Sequence, residues 1–96
     1  ELEDLIGKNM TREESRIAFE KSLQVINSAP EFTAESLESP LRELVNELEL
    51  KAGQLFGLLR NALTAQQVSP PIFESMEIMG RNTVNQRITN AIQRLS

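Results

Sequence analysis

Hydrophobic residues along this chain recur every three or four positions, which is the spacing that places side chains on one face of an α-helix. Such stripes run through residues 11–28, 40–48, 51–64, 72–79 and 82–95. No stretch of the sequence alternates apolar and polar residues as a half-buried strand does. The pattern therefore predicts an all-α fold.

The first part of the chain carries a clear helix start. Residues 1–6 have the pattern of the end of a helix, which Gly7 terminates. Thr11 followed by Glu14 is typical of a capping box, in which the two side chains satisfy each other's free backbone N–H groups. We expect the helix that this box opens to end near Ser28.

Proline divides the stretch that follows. Thr33 suits the N-cap of a short helix that ends at Glu38. Ser39-Pro40 then predicts a separate helix start, because proline in a first turn loses no intrahelical hydrogen bond. We therefore expect two short helices between residues 33 and 48.

Residues 51–64 form the most apolar of the predicted helices, and we expect this helix to be the central and most buried one. Its apolar side chains surround most of the helix: Leu55, Phe56, Leu58, Leu59, Ala62 and Leu63. Gly53 and Gly57 lie four residues apart in it. We interpret them as positions where a neighbouring helix packs closely.

Glycine and polar residues bound the last two helices. Gly80 is expected to end the helix 72–79 in a left-handed conformation, and Asn82 or Thr83 to cap the final helix. The whole pattern predicts a compact cage of about six short helices that forms one domain over residues 1–96.

Composition excludes most catalytic chemistry. The 96 residues include no Cys, His, Trp or Tyr, so thiol chemistry, an imidazole base and the usual zinc ligands are absent. Glu13 and Glu14 are adjacent and so do not face each other on a helix. We predict no catalytic residue, metal ligand, cofactor site or membrane span. Because the sequence begins with Glu, we take it as a piece of a longer protein.

Charge is distributed unevenly along the chain, although the total is −4. Residues 1–49 contain 12 acidic and 5 basic side chains, whereas residues 50–96 contain 2 acidic and 5 basic ones. A basic half can face a phosphate backbone even when the whole chain is acidic. The charge pattern alone also fits a chance distribution.

The most informative motifs lie between Leu59 and Arg87. They are Leu-Arg-Asn-Ala-Leu-Thr at 59–64, Ser-Pro-Pro-Ile-Phe-Glu at 69–74, Met-Gly-Arg at 79–81, and Arg-Ile at 87–88. In order and spacing they resemble the C-terminal anticodon-binding domain of bacterial-type glutamyl-tRNA synthetases, which are class I aminoacyl-tRNA synthetases. The resemblance extends upstream and covers nearly the whole chain.

This resemblance implies a function without chemistry of its own. The chain would grip a tRNA anticodon loop as part of a glutamate–tRNA ligase, while a catalytic domain upstream of it activates glutamate with ATP and Mg²⁺. The implied partner is tRNA-Glu, and whether the enzyme also charges tRNA-Gln stays open. A monomeric, cytoplasmic enzyme is implied as well.

The resemblance also implies which residues would contact the anticodon loop: Arg60, Thr64, Ser69, Pro70, Ile72 and Arg81. A planar guanidinium such as that of Arg60 can bind a base edge or a phosphate. A proline-stiffened loop presents fixed backbone groups to splayed bases. Arg81, at a helix junction, suits a phosphate contact.

Two other functions remain open from the sequence. The chain can be read as a small helical protein-interaction module that does not bind RNA and whose acidic first half docks a basic partner. It can also be read as a structural appendage that keeps the fold but has lost anticodon reading.

Overall fold

The computed structural model describes residues 2–64 and 71–96. A short 3₁₀ turn at Leu2–Leu5 is followed by five α-helices: α1 (Arg12–Ser28), α2 (Ala34–Glu47), α3 (Ala52–Leu63), α4 (Ile72–Met79) and α5 (Arg81–Leu95). These residues contain no strand, so the all-α prediction is confirmed over them. Five helices and one 3₁₀ turn agree with the predicted cage of about six short helices.

The start of α1 is the capping box that the sequence predicts. Thr11 Oγ1 accepts a hydrogen bond from the backbone N–H of Glu14 at 3.0 Å, and Glu14 Oε1 accepts one from the N–H of Thr11 at 2.8 Å. Buried Ser15, one residue further on, accepts a hydrogen bond from the N–H of Gly7. These bonds fix the N-terminus of α1 against the turn that precedes it.

Helix α2 is one continuous helix, so the prediction of a separate start at Ser39-Pro40 is wrong. Thr33 caps α2 as expected, and Pro40 lies inside the helix. Proline removes one intrahelical hydrogen bond there. Leu37 and Leu41, on either side of Pro40, are both fully buried, and their burial in the core outweighs the lost bond.

Helix α3 is central, as its apolar sequence predicts. It packs against the 3₁₀ turn and against each of the other four helices. Four of its leucines are at most 1% exposed: Leu55, Leu58, Leu59 and Leu63. Phe56 is 6% exposed and meets the ring of Phe73 on α4. The helix that carries Arg60 is therefore held by the core from Leu55 to Leu63.

The junction between α4 and α5 is a single glycine. Gly80 has φ +90° and ψ 158°, so the predicted positive φ is confirmed, but the residue lies in an extended region that glycine alone occupies easily. Helix α5 begins directly after it, at Arg81. The prediction of a cap at Asn82 or Thr83 is wrong, because both residues already lie inside the helix.

Candidate nucleic-acid interface

The basic side chains of the second half fall into two groups. Arg81 and Arg87 donate hydrogen bonds to backbone carbonyl groups of other helices. The side chains of Lys51, Arg60 and Arg94 bind no partner within residues 2–64 and 71–96. The second group is thus available to an external anion or base.

Arg60 lies in the last turn of α3 and is half-buried. Its neighbour Leu59 and the following Leu63 are both fully buried, so the backbone that carries Arg60 is fixed. A cation in the last turn of a helix is also favoured by the helix dipole. The Arg60 guanidinium therefore extends from a fixed backbone, and its N–H groups donate to no described residue.

Thr64 completes the turn that carries Arg60. The backbone N–H and the Oγ1 hydroxyl of Thr64 both donate to the carbonyl oxygen of Arg60, each at 2.8 Å. The two hydrogen bonds close the C-terminal turn of α3, where an isolated helix would fray. The structure therefore brings these two predicted site residues together.

The residue that follows the proline segment, residues 65–71 of the sequence, is anchored in the core. Ile72 is the first residue of α4 and is 3% exposed. Since its side chain is buried, an RNA contact at Ile72 would use its backbone. The predicted site residues Ser69 and Pro70 lie outside the described residues.

Arg81 joins α5 to α1. Its guanidinium donates to the carbonyl oxygens of Ile26 and Ala29, both at 3.1 Å, at the C-terminal end of α1. The guanidinium carbon also lies 5.1 Å from the centroid of the Phe32 ring. The structure thus places Arg81 in helix packing, and a phosphate could engage only the N–H groups that these contacts leave.

Arg87 belongs to one of the sequence motifs but was not among the predicted site residues. From α5 it donates to the carbonyl oxygen of Leu63, in the last turn of α3. Its position in the Arg-Ile motif at 87–88 is the sequence signal that could have marked it as a candidate.

The two glycines of α3 do not have the role that the sequence suggested. A Cβ atom built on Gly53 or on Gly57 would meet no heavy atom of residues 2–64 and 71–96 within 4 Å. The interpretation as close helix packing is therefore wrong for the helices that the structure describes. Neither glycine has a side chain. Arg60, three residues after Gly57, lies on the same side of the helix as the two glycines.

Two kinds of site are not found among the described residues. No group of three or more acidic side chains in 2–64 and 71–96 is placed to hold a metal ion. None of the helices in these ranges is long and apolar enough to cross a lipid bilayer.

An all-helical fold that holds an arginine without a hydrogen-bond partner among the described residues on a fixed helix turn has the properties of a binding domain. The comparison with known families makes this class specific. The model of the anticodon binding domain family matches residues 2–92. The chain belongs to that family.

Curated relatives are glutamate–tRNA ligases of bacteria. The chain is 49% identical over 92 residues to the glutamate–tRNA ligase of Dehalococcoides mccartyi, with 96% of this chain and 19% of the relative covered. It is 37% identical over 92 residues to that of Roseiflexus castenholzii, with 96% and 18% covered. The chain thus spans about a fifth of the length of these relatives.

Proposed function

We propose that this chain is the C-terminal anticodon-binding domain of a glutamate–tRNA ligase and that it reads the anticodon loop of tRNA-Glu. The observation that carries the proposal is Arg60: a guanidinium without a described partner, on a helix turn held by buried Leu59 and Leu63, shortly before the proline segment in sequence. Membership of the anticodon binding domain family supports it. So do relatives that are glutamate–tRNA ligases.

Base reading and positioning are divided among the proposed site residues. Arg60 hydrogen-bonds a base edge, because its planar fork matches two acceptors at once. Ser69, Pro70 and the backbone of Ile72 receive the splayed bases, and Thr64 keeps the Arg60 turn in place. Arg81 contacts a phosphate through the N–H groups that α1 does not use, which positions the RNA without reading its sequence.

The rest of the ligase reaction belongs to the remainder of the enzyme in this proposal. A catalytic domain outside this chain binds ATP and Mg²⁺ and activates glutamate, and no step of that chemistry uses residues of this domain. The enzyme is proposed to be monomeric and cytoplasmic. Whether it also charges tRNA-Gln depends on the third anticodon base, which a preceding helical domain would read.

Charging kinetics of the full-length ligase test the role of Arg60. With Arg60→Ala we expect the ratio of kcat/KM between the correct transcript and transcripts altered at the first two anticodon bases to fall. The expected loss is about 1–3 kcal/mol per base contact, taken from bidentate base readout in DNA. Arg94→Ala is the matched control, because the side chain of Arg94 also has no described partner but lies at the far end of α5. An unchanged ratio for Arg60→Ala would rule out base reading by this residue.

A titration separates the proposal from a protein-interaction module. When tRNA-Glu is added to the 96-residue chain, NMR shifts should concentrate between residues 60 and 87 and spare residues 13–49, whose acidic charge repels RNA. Binding should also weaken steeply as salt rises. Shifts concentrated in the first half, or the absence of RNA binding, would favour the interaction module.

A further inference from the structure

Arg87 occupies a distinctive position relative to the proposed base reader. Its guanidinium, which comes from α5, donates to the carbonyl oxygen of Leu63. Leu63 lies at the end of α3, where carbonyl groups have no intrahelical partner. Arg60 lies in the same turn, three residues earlier. Arg87, a side chain of α5, therefore supplies a hydrogen-bond donor to the α3 turn that carries Arg60, the residue proposed to read a base.

We propose that Arg87 is a positioning residue for base recognition: by holding the carbonyl group of Leu63, it fixes the turn that orients the Arg60 guanidinium. This inference rests on the proposed function. A side chain that hydrogen-bonds to a base edge must be placed to within about 0.5 Å. A neighbouring residue that holds the backbone of that side chain in place provides this accuracy.

The chain contains a second arginine, Arg12, that also donates to carbonyl groups at a helix C-terminus and serves as a control. Arg12, from α1, donates to the carbonyl oxygens of Leu95 at 2.9 Å and Arg94 at 3.2 Å, at the C-terminus of α5. Leu95 lies eight residues beyond Arg87, about 12 Å further along α5 by helical rise. Both arginines thus close the end of a neighbouring helix, but Arg87 closes the helix that carries Arg60.

A direct phosphate contact is the competing role for Arg87, since its side chain is exposed. The two roles differ in what they change. A phosphate contact strengthens binding to every anticodon variant equally, and its loss flattens the salt dependence by about one charge. A positioning role changes the ratio between correct and altered anticodons and leaves the salt dependence unaltered.

The experiment compares Arg87→Met, Arg87→Lys, Arg12→Met and Arg60→Ala in the full-length ligase, with charging kinetics on wild-type and anticodon-altered tRNA-Glu transcripts. We expect Arg87→Met to reduce discrimination at the first two anticodon bases by between about 3-fold and about 30-fold. Arg87→Lys should restore most of it, because an ammonium group can also donate to the Leu63 carbonyl. Arg12→Met should leave discrimination unchanged.

Each contrary result has a defined meaning. If Arg87→Met lowers charging of all transcripts equally and flattens the salt dependence, Arg87 is a phosphate contact and the inference is wrong. If Arg87→Met and Arg12→Met lower the melting temperature alike while both keep full discrimination, the role of Arg87 is only structural. If Arg60→Ala reduces discrimination and Arg87→Met does not, this inference alone fails. If the wild-type enzyme does not discriminate at these bases, the proposed function fails with it.

Discussion

The rings of Phe56 and Phe73 meet edge to face, with their centroids 5.3 Å apart and their planes at 79°. This contact joins α3 to α4, the two helices that flank the proline segment. Arg42 of α2 lies over both rings, with its guanidinium carbon 5.4 Å and 5.8 Å from the two centroids. The aromatic pair and Arg42 therefore hold α2, α3 and α4 in one packed unit.

Replacing Phe56 tests the importance of this pair. Phe56→Ala should lower the free energy of unfolding by about 3–5 kcal/mol, because it leaves a cavity and removes the contact with Phe73. Phe56→Leu, which retains most of the volume, should cost about 1 kcal/mol. Urea denaturation followed by far-UV circular dichroism gives both values. A cost below about 1 kcal/mol for alanine would show that Phe56 is not part of the core.

Two buried serines of α1 should respond in opposite directions to alanine. Ser15 Oγ accepts a hydrogen bond from the N–H of Gly7 at 2.9 Å, so Ser15→Ala should destabilise the fold by about 1–2 kcal/mol. Ser22 Oγ is buried without a hydrogen-bond partner among the described residues. Ser22→Ala removes that unpaired group and should raise stability by about 0.5–1 kcal/mol. Equal effects of the two substitutions in denaturant titrations would contradict this assignment.

Replacing two glycines by alanine should distinguish the effect of backbone conformation on stability from the effect of the space around the new methyl group. Gly57 lies inside α3, and no heavy atom of the described residues lies within 4 Å of the position that a methyl group would take, so Gly57→Ala should stabilise the fold by about 0.5–1 kcal/mol. Gly80→Ala has equal space but must adopt φ +90°, and should cost about 1–3 kcal/mol. Thermal unfolding of the two variants checks the signs. A stabilising Gly80→Ala would show that the junction can adopt another backbone conformation.

Removal of Arg81 should destabilise the chain. Arg81→Met loses the hydrogen bonds to Ile26 and Ala29 and the charge over Phe32, while it keeps most of the apolar stem. We expect the free energy of unfolding to fall by about 1–3 kcal/mol. Chemical denaturation measures this value. A stability equal to that of the wild type would mean that these contacts contribute nothing net.

The proposed phosphate contact of Arg81 makes a separate prediction. Arg81→Met should weaken binding to every anticodon variant about equally, and it should flatten the dependence of binding on salt by about one charge. Fluorescence titrations of the full-length ligase with labelled tRNA at several salt concentrations give the slope. Lower stability with an unaltered slope would leave Arg81 with its packing role alone.

Local features of the sequence were predicted well where short-range contacts decide them. The capping box of Thr11 and Glu14 involves residues three positions apart, so its bonds form within one helical turn. The central place of α3 followed from its apolar side chains, because a helix that is hydrophobic on most sides must be surrounded. The candidate base reader Arg60 was predicted from its motif, and its role stays a prediction.

Features that depend on the neighbouring helices were not predictable in the same way. The sequence places a break at Pro40, but burial of Leu37 and Leu41 keeps α2 continuous. Gly57 suggested a packed neighbour, although the described part of the chain places none on that side of the helix. In the first case the packing of the other helices overrides the local preference of proline for a helix start. In the second case the packing places no described helix against the glycine.

The sequence by itself determined the helical class, the first caps, the apolar central helix and the basic second half, because periodicity, capping and charge depend on residue type and short spacing. Only the tertiary structure decided which arginine side chains form hydrogen bonds within the fold. Arg81 reaches carbonyls 55 and 52 residues away, and Arg87 reaches one 24 residues away. Such bonds exist because the last carbonyl groups of a helix lack the usual N–H donor four residues later, and packing determines which cation lies beside each helix end.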